Sequence, residues 1–230
     1  MLLTLLSLLT GDYSKAEMAG ILIVFASLLF VTFVCMPVHE SAHALAAYML
    51  GDDTGKLKGR ITLNPFAHLT GPGLAMMLLL GFGYARPVPV NINRFKNRKL
   101  GFALTSIAGP LSNLLIALVF ALLSAVFYVF ISNPMAKNVM YTFTFYVAVY
   151  NVVLALFNLI PIPPLDGSRL VTLILPDKYY YKLLSMERYF IIGIFAISFI
   201  LNRFEFIPSL SDIGFAVVAF LQKAFILILT

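Results

Sequence analysis

The sequence predicts an all-α polytopic membrane protein: a three-helix core, about two further C-terminal spanning helices, and short re-entrant or interfacial elements. Three observations carry that prediction. Of 230 residues, 61% are hydrophobic and only 11% charged. The mean hydropathy is +0.96. The apolar residues fall into long runs separated by short polar segments. A soluble domain carries about 25% charged residues, and one of this size could not bury so much apolar side chain. The composition therefore excludes a cytosolic enzyme, a disulfide scaffold and a disordered chain. The single cysteine, Cys35, permits no internal disulfide.

Each element has its own justification. Residues 1–10, MLLTLLSLLT, are apolar but too short to cross about 30 Å of hydrocarbon, and they read as interfacial or re-entrant. The first spanning helix is expected over the long apolar stretch from Gly20 to Leu50, whose apolar run is interrupted by Pro37 and by the polar set His39, Glu40, Ser41 and His43. Residues 51–73 are polar and turn-rich, and 74–83 are apolar but again short. A second span is expected from Gly101 to Ile131 and a third from Val139 to Leu159. Pro161, Pro163 and Pro164 cannot continue a regular helix, so the third should unwind there. Two shorter apolar segments, 189–201 and 213–229, would complete a single domain over 1–230, with its core at about 20–175.

Charge sets the orientation. The net charge is +6, and Arg86, Arg94, Lys96, Arg98 and Lys99 crowd the segment 84–100, which has no acid. Basic loops stay in the cytoplasm, so 51–100 and 166–188 should face it in the cell membrane. No basic tract with interleaved aromatics stands apart from the apolar segments, which argues against nucleic acid as a partner.

The chemistry concentrates in His39-Glu40-Ser41-Ala42-His43, an H-E-x-x-H on a helix. Histidines at i and i+4 project from one face, close enough to share a metal ion, and the glutamate beside them can take a proton from an attacking water. One Zn²⁺ suits imidazole and carboxylate ligands with an open position. Ionisable groups are costly at membrane depth, which argues against chance. A third ligand must reach the same depth. Asp166, in Pro-Pro-Leu-Asp166-Gly167, is the candidate, against the plainer reading of a turn in a cytoplasmic loop. Gly109-Pro110 reads as a packing site or kink. Asn64, Asn113 and Asn151 read as partners in helix–helix hydrogen bonds, and Cys35 as core.

At these residues the chain resembles the site-2 protease family of intramembrane zinc metalloproteases. H-E-x-x-H in the first long helix and Phe157-Asn158-Leu-Ile-Pro-Ile-Pro-Pro-Leu-Asp166-Gly167 are together specific. Gly59-Arg60-Ile-Thr-Leu-Asn64-Pro65-Phe-Ala-His68, Ala85-Arg86-Pro87-Val-Pro-Val-Asn91 and Ala108-Gly109-Pro110-Leu-Ser-Asn113 resemble its compact bacterial and archaeal branch. The resemblance implies that His39, His43 and Asp166 bind zinc, that Glu40 is the catalytic base, and that Asn158 contacts substrate or oxyanion. It implies peptide-bond hydrolysis within or near transmembrane helices of membrane-protein substrates. Thr70 departs from the pattern where an acid is expected, which leaves His68 between two roles: a donor to oxyanion or substrate, or a cap for its loop. A polar edge within 51–92 is a candidate for holding substrate extended by strand pairing. The rival readings are a non-proteolytic membrane zinc-binding protein or transporter, and a metallohydrolase of lipids. A transporter would spread polar residues along a path across several helices, whereas these cluster at one end.

Overall fold

The computed structural model describes residues 14–80, 85–176, 178 and 210–230. Helix α1 (Lys15–Phe30) opens with a capping box, in which the Ser14 hydroxyl accepts from Glu17 N–H and the Glu17 carboxylate accepts from Ser14 N–H. It runs through one π-helical turn (Val31–Cys35) into α2 (Met36–Met49). The expected single span therefore runs unbroken through Pro37. Proline has no N–H and its ring crowds the carbonyl four residues back. The widened turn just before it, closed by Met36 N–H donating to the Val31 carbonyl, absorbs the mismatch. The continuous helix Lys15–Met49 starts five residues ahead of the predicted Gly20.

Two short helices, α3 (Thr54–Leu57) and α4 (Pro65–His68), and a longer one, α5 (Gly71–Leu80), follow. An isolated antiparallel bridge pairs Leu69 with Ala85, and Arg86 N–H donates to the His68 carbonyl. Helix α6 (Arg98–Phe130) is capped by Asn97 and passes Pro110 without ending. Helix α7 (Pro134–Asn158) is capped by Asn133 and stops before the predicted prolines. The turn-forming segment after it leads to α8 (Gly167–Leu170), and α9 (Leu210–Leu229) closes the described chain. Among the described residues, four helical stretches are long and apolar enough to cross a membrane: Lys15–Met49, Arg98–Phe130, Pro134–Asn158 and Leu210–Leu229. The expected elements at 1–10 and 189–201 lie outside the described residues.

Helix α6 is the hub: α2, α7, α8 and α9 all pack on it. The interior is built from small residues and the exterior from large ones. Ala117, Ala121, Ala125, Ala148 and Ala155 are buried, whereas Leu111, Leu115, Leu118, Val119 and Leu122 are exposed on the outside of α6. That inversion of the usual soluble pattern is how helices approach closely when lipid rather than water is the surrounding solvent. Close approach is also what allows a side chain on one helix to be aimed at a position on the next.

Candidate metal centre

His39 and His43 lie one turn apart on α2 and are 6% and 3% exposed. Asp166 stands at the N-terminus of α8, 9% exposed, its carboxylate not used to cap that helix. The three meet. His43 Nε2 is 3.1 Å from His39 Nε2 and 3.0 Å from Asp166 Oδ2, and His39 Nε2 is 3.3 Å from the same oxygen. A tetrahedral zinc with bonds near 2.0–2.1 Å places its ligand atoms roughly 3.3 Å apart, so this triangle has the right size and donor set for zinc. Among the described residues this is the His/Cys/Asp/Glu group able to hold a metal.

The chain delivers Asp166 by a tight reversal. After α7 ends, the backbone folds back so closely that a Cβ on Gly167 would collide with the carbonyls of Leu159 and Ile160. Only glycine fits after the aspartate, which gives the Asp-Gly pair a steric origin beyond turn preference. Burial acts against the Asp166 carboxylate, but His43, the hydrogen bonds to His39 and His43, and Arg169 outweigh it and hold the group well below the usual carboxylate range. Arg169 Nη1 is 3.7 Å from Asp166 Oδ1, and its guanidinium lies 5.2 Å above the Phe102 ring. The sequence reading missed Arg169, although a basic residue at i+3 from the aspartate is a recognisable helix-pair signal.

Helix α6 shapes the other side. His43 Nδ1 donates to the Thr105 carbonyl at 2.7 Å, so that when the ring is neutral Nε2 carries the lone pair that a metal takes. Gly109 faces both rings: a Cβ there would overlap His43 Nε2 and come within 2.6 Å of His39 Cε1. Of the two readings of Gly109-Pro110, packing is the one the structure shows. Glu40 follows His39 on α2, half-buried.

The remaining candidates fall elsewhere. Asn158 is the last residue of α7, and its Nδ2 donates to the Leu154 carbonyl at 3.0 Å. His68 is fully buried in the loop region, with Nε2 donating to the Thr62 carbonyl at 2.8 Å. Burial keeps its imidazole below the ordinary histidine range, and the Arg60 charge adds to that against the Thr62 bond. Asn64 does not make the expected helix–helix bond: it caps α4 through Phe66 N–H. Asn151 Nδ2 bonds its own helix at Val147, and its side chain also meets the Cys35 thiol across the helix pair. Arg60, unremarked as a single residue in the sequence, is 5% exposed. Its guanidinium donates to the carbonyls of Ala67, Arg86 and Pro87. Asp52, also buried, accepts from Thr54 N–H and hydroxyl on one oxygen and from Asn91 N–H on the other.

Comparison with known proteins agrees with this chemistry. The model of peptidase family M50 matches residues 123–201, a segment that contains Asp166 but not His39 or His43. YwhC of Bacillus subtilis, provisionally named a zinc metalloprotease, is 41% identical over 165 residues, 70% of this chain and 75% of that protein. Rip2 of Mycobacterium tuberculosis, provisionally named likewise, is 30% identical over 148 residues, 63% of this chain and 55% of its own length. The zinc metalloprotease MJ0392 of Methanocaldococcus jannaschii is 30% identical over 159 residues, 69% of this chain and 37% of its own. No solved structure matches.

Proposed function

The chain belongs to peptidase family M50, the site-2 protease family of zinc metalloproteases, and from that premise we propose that it hydrolyses peptide bonds within or near transmembrane helices of membrane-protein substrates. The observation that carries this reading is the buried triangle of His39 Nε2, His43 Nε2 and Asp166 Oδ2, built between helices long enough to cross a bilayer. His39, His43 and Asp166 are its zinc ligands. When bound there, zinc supplies Lewis-acid chemistry, polarising a carbonyl and acidifying water.

The protein's own residues do the rest. Glu40 takes the proton of the attacking water and hands it to the leaving amine. Thr105 holds His43 in the tautomer that presents Nε2, and Arg169 steadies Asp166. Asn158, eight positions ahead of Asp166 in the reversal, contacts substrate backbone or the developing oxyanion. Of the two roles weighed for His68, we adopt the one its bond to Thr62 supports: it caps the loop. A helical substrate must open before its backbone can be attacked. The segment running from the Leu69–Ala85 bridge to Asn91, fastened by Arg60 and Asp52, is the surface on which an extended substrate would lie. The basic residues of 84–100 support a site that faces the cytoplasm, where water can reach it.

The test is cleavage of a model transmembrane substrate by full-length protein in lipid vesicles. Glu40→Gln is expected to keep one zinc per chain and lose at least about 100-fold in rate, the scale of general acid–base catalysis. Cleavage at the wild-type rate would remove Glu40 from the mechanism.

A further inference from the structure

A metal ligand needs a partner behind it to hold its donor atom on target. His43 has the Thr105 carbonyl, 2.7 Å from Nδ1, and Asp166 has Arg169, 3.7 Å from Oδ1. His39 has none: its Nδ1 is buried and makes no hydrogen bond. A neutral ring that ligates through Nε2 carries its proton on Nδ1. The site therefore holds a buried donor without an acceptor, and buried polar groups are seldom left so.

A complementary orphan stands on α6. Asn113 is 1% exposed, and its Oδ1 is a buried acceptor without a partner. The pairing of helices brings the two together. His43 meets Thr105 and His39 meets Gly109, so α2 and α6 run antiparallel, with later residues of one against earlier residues of the other. Side chains on a helix lean toward its N-terminus. His39 leans from the level of Gly109 toward that of Asn113, four residues further along α6. Asn113 leans back toward Gly109, where the absent Cβ leaves room. These leans direct both polar ends into the same interhelical space, where neither is bonded in this structure. We infer that Asn113 is a positioning residue for the metal centre, its Oδ1 accepting the Nδ1–H of His39 when that ring ligates a metal.

Two other orphan acceptors fit less well. Thr105 Oγ1 leans toward the start of α6 as Asn113 does, and from position 105 that carries it away from the level of His39. Asn151 lies on α7, which packs on the π turn Val31–Cys35, and its amide sits beside the Cys35 thiol. The inference rests on the metal-site reading proposed above.

The experiment measures zinc affinity by chelator competition and records visible spectra of the cobalt(II)-loaded full-length protein in detergent. Asn113→Leu, close in shape but without an acceptor, is expected to weaken zinc binding by about 10–100-fold and to shift the cobalt bands. Asn113→Asp keeps the shape and restores the acceptor. It is expected to bind zinc at least as tightly as wild type, with bands shifted because a carboxylate makes the ring more basic. Asn151→Leu is expected to leave zinc affinity within about 2-fold, well short of the loss from removing an outer partner. Wild-type affinity in Asn113→Leu, a wild-type cobalt spectrum in Asn113→Asp, or loss confined to Asn151→Leu would each overturn the assignment. His43→Ala separates the two levels. Zinc retained there sinks the metal site and this inference with it. Zinc lost there but kept by Asn113→Leu sinks this inference alone.

Discussion

The interhelical metal centre and the polar loop region of residues 51–97 are both rich in buried polar side chains, but they use them in opposite ways. In the loop, Asp52 and Arg60 spend their hydrogen-bonding capacity on backbone: Thr54 and Asn91 for one, Ala67, Arg86 and Pro87 for the other. A chain with little regular structure must find partners for its carbonyls and N–H groups somewhere, and side chains supply them. Around His39 and His43 the backbone is already satisfied within a long helix. The side chains there are free to aim at one another, and their placement comes from how α2 and α6 register. The loop is fastened locally; the site is aligned at a distance. Damage to the first should therefore spare the metal, and damage to the second should not.

The largest effect is expected where the register itself is struck. Gly109→Ala places a methyl group on the His43 ring and 2.6 Å from His39 Cε1. His43 cannot retreat without giving up its bond to Thr105. The expected outcome is a loss of zinc affinity at the upper end of the outer-partner range, about 100-fold, with cleavage abolished and the helical circular dichroism signal kept. Zinc content and spectrum of the purified variant check it. Wild-type zinc binding would mean that the rings do not pack on α6 as described.

Arg60→Met is the converse. It leaves apolar volume in place but withdraws the donor from three carbonyls, at about 1–3 kcal/mol for each one that water does not reach. The metal ligands lie on other elements, so zinc stoichiometry should stay at the wild-type value. Cleavage should fall by about 100-fold, the scale of a misplaced substrate, and proteases should nick the loop faster. Joint loss of zinc and activity would show that loop and site are one unit and dissolve the contrast.

That division also explains what was legible in advance. The i, i+4 spacing of His39 and His43 is a property of one helix, so it could be read directly. Asp166 could be read because prolines and an acid at membrane depth are rare enough to stand out. Gly109 could be read only as packing or a kink, because which residue of α6 faces the imidazoles depends on the register between two helices some 60 positions apart in sequence. The span through Pro37 could be read from its apolar length, but the π turn that absorbs the proline has no composition signal. Arg60 stood only inside a longer motif, and arginines are mostly exposed. Its burial goes with its bonds to Ala67, Arg86 and Pro87, the last two distant in sequence, and no local pattern encodes such contacts.

The smallest expected effect lies in the same loop, at Asp52→Ala. One carboxylate oxygen holds Thr54 N–H and hydroxyl and the other holds Asn91 N–H. The lost local bonds to Thr54 are worth about 1 kcal/mol. The second bond matters more for function, because it ties the far end of the segment that begins at Ala85. Arg60 still holds the near end at Arg86 and Pro87, so the segment should loosen by fraying from Asn91 rather than detach. Cleavage should then fall by less than about 10-fold, roughly what one tied end out of two contributes at 1.4 kcal/mol per decade, with zinc content unchanged. Hydrogen exchange localises the change: faster exchange confined to the neighbourhood of Thr54 and Asn91 is the expected pattern. Exchange that also quickens in α2 around His39 and His43 would mean the loop braces the metal helix, and the local fastening argued here would be wrong.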